Sequence, residues 1–317
     1  MTGQLRHANV RQSHRLIIYR LLRVIGIDLI KFMTMLGTGS NKGIGFAIVK
    51  ELCQKFDGDV YLTSRDEGRG RTAVEELGKL GFQPQYHQLD IDDEASVLKF
   101  RDHLQSKYGG LDILVNNAAI AFKNAAPEPF SEQATETLRT NFFSTLRFCD
   151  IMFPILRPHA RVVNVSSSAG HLLKISGENS VAVDLRKKLC SSDLTTKELI
   201  EMIQSFVKAA QTGDHLKLGW PNSAYATSKI GISALTRIQQ RTFDHDPRQD
   251  IIVNSVHPGY VDTDMTSHKG PLTIEQGAVA PAWLALLPPN VDGPKGGYVW
   301  YDKQIVDWVN GPTPTVV

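Results

Sequence analysis

From about residue 33 onward, short apolar runs alternate with longer stretches in which apolar residues recur every three or four positions. That alternation predicts strands threaded between helices, as in a parallel sheet covered on both faces. Residues 60–63, 87–90, 113–116, 161–165 and 251–256 read as strands. Residues 33–37, Met-Thr-Met-Leu-Gly, read as a first strand with soft ends, because they have little β-branched character and include a glycine. Between residues 170 and 220 the alternation breaks. There Thr195-Thr196-Lys197-Glu198 has the form of a capping box, followed by Leu199, Ile200, Ile203, Phe206 and Val207 at helical spacing, which predicts an inserted helix over 195–210. The expected architecture is α/β: a doubly wound parallel sheet of Rossmann type, in a single domain over 33–317, with that helix inserted before Tyr225.

Composition alters this picture mainly at the N-terminus. The chain has 317 residues, 42% of them hydrophobic, which is enough for a large core. Its formal charge of +2 is uneven. Residues 1–32 hold Arg6, Arg11, Arg15, Arg20, Arg23 and Lys31 against the single acid Asp28, so the remainder is mildly acidic. A body of that charge gives no reason to expect nucleic-acid binding. The apolar stretch at 16–27 is interrupted by Arg20 and Arg23 and is too broken for a transmembrane span. Arg-rich and acid-poor, this extension has the character of a mitochondrial transit segment, with an amphipathic surface helix or an inert extension as alternatives. Three cysteines, Cys53, Cys149 and Cys190, stand far apart without a Cys-x-x-Cys pair, which points to a reducing compartment, the cytoplasm, and to no metal site.

The chemistry-bearing residues follow the predicted strand ends, where open α/β sheets bind their ligands. Thr38-Gly39-Ser40-Asn41-Lys42-Gly43-Ile44-Gly45 follows the first strand and opens an amphipathic helix. Bare backbone can approach a pyrophosphate there. At the end of the second strand stands Ser64-Arg65, where an NAD-binding protein would place an acid. Arg65 and Lys42 offer two cations to a 2′-phosphate, so NADPH is the expected cofactor, although Asp66 follows Arg65 directly. Asp90 suits the adenine amine, with Ile91 beside it. Asp92, Asp93 and Glu94 are expected to cap the following helix, because the 89–94 run lacks the glycine and distant glutamate of a calcium loop.

Tyr225-Ala-Thr-Ser-Lys229 places a phenol and an ammonium on one face of a helix. At about 5 Å and an effective dielectric of 20, the ammonium would favour the phenolate by roughly 3 kcal/mol, making a usable acid of a group with pKa near 10. Together with Asn117 in Asn116-Asn117-Ala118-Ala119, Thr140-Asn141-Phe142-Phe143, Asn164-Val165-Ser166-Ser167 and Pro258-Gly259-Tyr260-Val261-Asp262-Thr263, these residues resemble the short-chain dehydrogenase/reductase family. Within it they are most similar to the monomeric NADPH-dependent carbonyl reductases. The resemblance implies Tyr225 as general acid and Ser167 as second donor to the carbonyl oxygen. It also implies that Lys229 holds the nicotinamide ribose, Asn141 anchors a proton-relay water, and Val261 and Thr263 lie near the carboxamide. Ser166 competes with Ser167 for the donor role, and the resemblance favours Ser167. It further implies a monomer, with the inserted helix covering the face that other members use to associate. Ala119 and Gly37 depart from the family pattern, in which a glycine and an apolar residue are usual. Phe122, Trp220 and Tyr260 are placed near the substrate mouth, favouring small-molecule quinones, ketones and aldehydes. Steroid, prostaglandin or retinoid carbonyls are the alternative substrates, and a non-catalytic NADPH-binding sensor is the alternative class.

Overall fold

A computed structural model describes residues 34–123 and 125–314. The basic 1–32 extension read from the sequence lies outside them. Eight strands form one sheet in the order β3-β2-β1-β4-β5-β6-β7-β8. These are β1 (Thr34–Gly37), β2 (Asp59–Ser64), β3 (Gln85–Gln88), β4 (Leu111–Asn116), β5 (Leu156–Val165), β6 (Ile252–Val256), β7 (Tyr298–Val299) and β8 (Ile305–Val306). All neighbours pair in parallel except β7 with β8, which close the edge as an antiparallel hairpin. The chain order reverses at β1, between β2 and β4, so the crevice beyond these strand ends is the expected ligand site of such a sheet.

The soft first strand forms because both flanks support it: all four residues are buried and paired with β2 and β4. A Cβ on Gly37 would meet Val49 Cγ2 at 3.5 Å, an ordinary contact, so the local fold does not demand glycine there. The third strand stops at Gln88, short of the expected Asp90. The Asp90 carboxylate accepts from the Asp92 N–H at 3.0 Å, and that turn ends the strand.

Helices α1 (Gly43–Lys55), α2 (Glu67–Lys79) and a later helix, Ile274–Ala285, cover one face of the sheet over a core that includes Met35, Ile48, Leu52, Leu62 and Val163. The other face carries α3 (Glu94–Tyr108), α4 (Phe130–Leu138), α5 (Thr145–Met152) and a long helix, Ala224–Asp244. The insertion contains two helices where the sequence pattern predicts one: α6 (Ser180–Cys190) and α7 (Thr196–Thr212). Asn179 caps the first, and its weaker apolar period hid it. The second has the full Thr195/Glu198 capping box and ends on Gly213 at φ 77°. The long helix that follows is α8 (Ala224–Asp244) and the last is α9 (Ile274–Ala285).

Candidate active site

The glycine loop is built from the backbone outward. Ser40 N–H donates to Thr63 O at 2.9 Å, and its buried hydroxyl donates to Gly37 O at 2.8 Å. Thr38 Oγ1 accepts from the N–H groups of Asn117 and Ala118, both at 3.0 Å. The Asn117 carboxamide donates to Thr38 O at 3.0 Å and Gly39 O at 3.1 Å. Thr38 and Ser40, read as cofactor contacts, therefore shape the loop from behind, while Asn117 both braces it and lines the cleft. Gly39 and Gly43 have φ of 58° and 57°, the left-handed region. A Cβ on Gly45 would lie 2.5 Å from Asn117 Nδ2 and 2.7 Å from Gly39 O, so only glycine fits. No side chain caps the N-terminus of α1, which leaves its first N–H groups to face an anion.

A cleft of about 690 Å³ runs from this loop to α8, lined by Gly39, Asn41 through Gly45, Arg65, Asp90, Ile91, Asn117, Tyr225, Lys229 and Thr263 among others. Asp66, the acid that clouded the cofactor expectation, caps α2, accepting from Arg69 N–H at 2.8 Å, and still lines the cleft between Arg65 and Arg69. Arg69 itself lines the cleft beside Arg65. The sequence reading missed it, although the one-turn spacing after Arg65 was a signal. Lys42 is paired across the mouth with Asp264 at 2.5 Å. Asp264 also faces His268 Nε2 at 3.1 Å, and His268 Nδ1 lies 2.6 Å from Asp262. Asp92 does not cap α3. Arg139 pairs with it at 2.6 Å and Thr140 donates to it at 3.0 Å, while Asp93 makes the cap.

At the other end of the cleft the adjacent serines after β5 diverge. Ser166 is buried and its hydroxyl engages Ser233 Oγ at 2.9 Å and Lys229 O at 3.3 Å. Ser167 Oγ accepts from Ala169 N–H at 3.2 Å, and of the two serines it is Ser167 whose hydroxyl acts on the Tyr225 phenol, favouring its ionised form. Ser223 caps α8, whose first two turns carry Tyr225 and Lys229. The Lys229 ammonium donates to Val165 O at 2.8 Å and lies 5.7 Å from the Tyr225 ring centroid. Burial pushes the Tyr225 phenol above its usual range, with the Ser167 hydroxyl opposing this, and lowers the Lys229 ammonium to about 8. This corrects the expectation of a phenol acidified by its lysine: desolvation acts on both groups, and the ammonium is directed to a strand carbonyl.

Asn141 sits in a π-helical turn, Arg139–Ser144. Its side chain is fully engaged: Oδ1 accepts from Ile120 N–H at 2.8 Å, and Nδ2 donates to Ile120 O at 2.9 Å and Ser228 Oγ at 3.0 Å. It ties the segment after β4 to α8. The three aromatics expected at the mouth are not among the residues lining the cleft. Trp220 is a core residue, 4% exposed, with its ring centroid 5.6 Å from that of Phe206. Phe122 is partly buried and Tyr260 exposed. Val261 is buried against Gly277 and α9 rather than turned into the cleft, while Thr263, two residues on, lines it.

The short chain dehydrogenase family model matches residues 33–178 and 216–271. The chain belongs to that family. The unmatched interval, 179–215, contains α6 and α7, so these two helices are additions to the family's common fold. Over 272 residues the chain is 48% identical to carbonyl reductase [NADPH] 1 of Rattus norvegicus and 46% identical to the protein of that name in Homo sapiens, in each case covering 86% of this chain and 96% of the relative. Salutaridine reductase from Papaver somniferum superposes with a TM-score of 0.73 at 30% identity, over 86% of this chain and 99% of that one. Ala119, at a family glycine position, lines the cleft of this short-chain dehydrogenase without closing it.

Proposed function

We propose that the chain uses NADPH to reduce carbonyl compounds, in particular quinones, ketones and aldehydes, to alcohols. The observation that carries this is Tyr225 with Lys229 on α8 at one end of a cleft whose other end presents a backbone-built glycine loop and Arg65, with the Ser167 hydroxyl acting on the Tyr225 phenol. The arrangement suits the cofactor: the Gly45 position admits no Cβ, the α1 N-terminus is uncapped, and Arg65 and Arg69 line the cleft as cations for a 2′-phosphate, with Lys42 beside them in an exposed ion pair with Asp264. Bound NADPH supplies the hydride. Tyr225 donates its proton to the carbonyl oxygen, and the Ser167 hydroxyl donates a second hydrogen bond to the same oxygen, stabilising charge as it develops. The Lys229 ammonium, buried between Tyr225 and Val165, orients the cofactor ribose.

The test follows NADPH consumption with a quinone and an aromatic aldehyde, with NADH in parallel. Turnover should prefer NADPH, and Tyr225→Phe should lose about two to four orders of magnitude in kcat while still binding NADPH. Undiminished turnover by Tyr225→Phe would overturn the assignment. The chain is further proposed to act as a monomer, because α7 packs over α4 and α8; a tight dimer in sedimentation would refute this. Cytoplasmic action is the favoured setting. Among the described residues no helix is long and apolar enough to cross a membrane, and a reporter fused to residues 1–32 would separate the cytoplasm from the mitochondrion.

A further inference from the structure

Beyond residue 271, where the family match ends, the C-terminal arm grips the turn that follows β5. Four hydrogen bonds join them. Tyr298 O–H donates to Ser167 O at 2.5 Å, Trp308 Nε1–H donates to Gly170 O at 2.7 Å, His171 Nε2 meets Asp307 O at 2.9 Å, and Leu172 N–H donates to Trp308 O at 3.3 Å. Tyr298 and Trp308 are 3% and 4% exposed, so two of these donors work without competition from water.

The bond to Ser167 differs from the others, because it acts on the residue whose hydroxyl faces Tyr225. The Ser167 carbonyl accepts twice, from Tyr298 O–H and from Gly170 N–H at 2.8 Å. With both lone-pair directions occupied, the peptide plane between Ser167 and Ser168 has little freedom to rotate. That plane leads into the turn whose Ala169 N–H donates to Ser167 Oγ at 3.2 Å. The phenol of Tyr298 thus fixes a backbone orientation that in turn fixes a hydroxyl. Its own position is set by β7, where it pairs with Ser255, and by packing among Trp300 and His171.

We propose that Tyr298 is a positioning residue for Ser167, holding the turn that fixes its hydroxyl beside Tyr225. The proposal rests on the reductase reading of the same site. Tyr298→Phe keeps the ring and its packing and removes only the donor. The expected result is a fall in kcat of about tenfold with unchanged NADPH affinity, as fits the loss of one aligned hydrogen bond near the reacting oxygen. Because the Ser167 hydroxyl lowers the pKa of Tyr225, loosening its position should move the alkaline fall of kcat to higher pH. Loss of packing alone would lower thermal stability and leave that limb in place.

The deciding measurement is a double-mutant cycle with Ser167→Ala. In the Ser167→Ala background, Tyr298→Phe should have no further effect on kcat; an equal loss in both backgrounds would overturn the proposal. The ionisation of Tyr225 is also read without substrate, as the tyrosinate absorbance present in the wild type and missing from Tyr225→Phe. A higher midpoint in Tyr298→Phe supports the positioning role and an unmoved midpoint refutes it, even if no carbonyl compound were turned over and the reductase reading had failed.

Discussion

The glycine loop after β1 and the serine turn after β5 are both bends at the carboxyl end of a parallel strand, but they are held in different ways. The first is braced by neighbours within the cofactor half, Thr63, Val115 and Asn117, through backbone groups and a small set of side chains. The second is held from the far end of the chain, by Tyr298 and Trp308. A site that binds a constant ligand can be built from generic backbone geometry, whereas the site that meets a variable substrate depends on long-range packing that each chain arranges for itself. The insertion and the C-terminal arm lie where the family model finds no match.

The sharpest way to break that comparison is at Trp220. If the substrate half stands on packing, Trp220→Ala should cost about 3–5 kcal/mol of stability, the range for truncating a large buried aromatic. NADPH affinity should be nearly unchanged in the fraction that remains folded. Denaturant unfolding and a cofactor titration check this together. A changed KM for the carbonyl substrate at full stability would instead return Trp220 to the mouth of the cleft, where the sequence reading had placed it.

The same contrast explains what was legible before the structure. Gly39, Gly43 and Gly45 could be read because a phosphate loop needs glycine at fixed spacing, and Tyr225 with Lys229 because a helix brings residues four apart onto one face. Trp220 could not, since an aromatic beside a predicted mouth and an aromatic in a core have the same local sequence. Ser166 and Ser167 were separable by resemblance alone; the physical reason lies in Ser233 and Lys229, more than 60 positions away. The tuning of Tyr225 was misjudged because the Coulomb estimate assumed an ammonium directed at the phenol, whereas Lys229 has Val165 O as its partner and burial dominates.

A smaller effect is expected at Arg65, where the cofactor half should prove robust in fold and sensitive in ligand. Removing a charge-assisted partner of a phosphate costs about 1.5–3 kcal/mol, so Arg65→Ala should weaken NADPH binding by roughly tenfold to a hundredfold. NADH affinity and the unfolding midpoint should stay where they were. Fluorescence titration with both nucleotides reads the ratio. Equal losses for the two would mean that Arg65 supports the loop rather than the 2′-phosphate, and the division between a backbone-built cofactor half and a packing-built substrate half would weaken.

The smallest effect concerns Lys42, the other cation assigned to the 2′-phosphate from sequence. It is tied to Asp264, both side chains being more than half exposed, at 62% and 61%. An exposed pair is weak and screened by salt, so Lys42 can exchange its carboxylate for a phosphate at little cost, and Asp264 acts as a competitor for it. Asp264→Asn should therefore tighten NADPH binding by about twofold to fivefold at low ionic strength, an advantage that fades as salt is added, and should change NADH binding less. Weaker NADPH binding would instead give Asp264 a different role: the Lys42–Asp264 contact would then be a bridge that holds the 263–268 turn against the glycine loop, a long-range brace of the cofactor half like the Lys50–Glu275 pair that joins α1 to α9 at 3.0 Å.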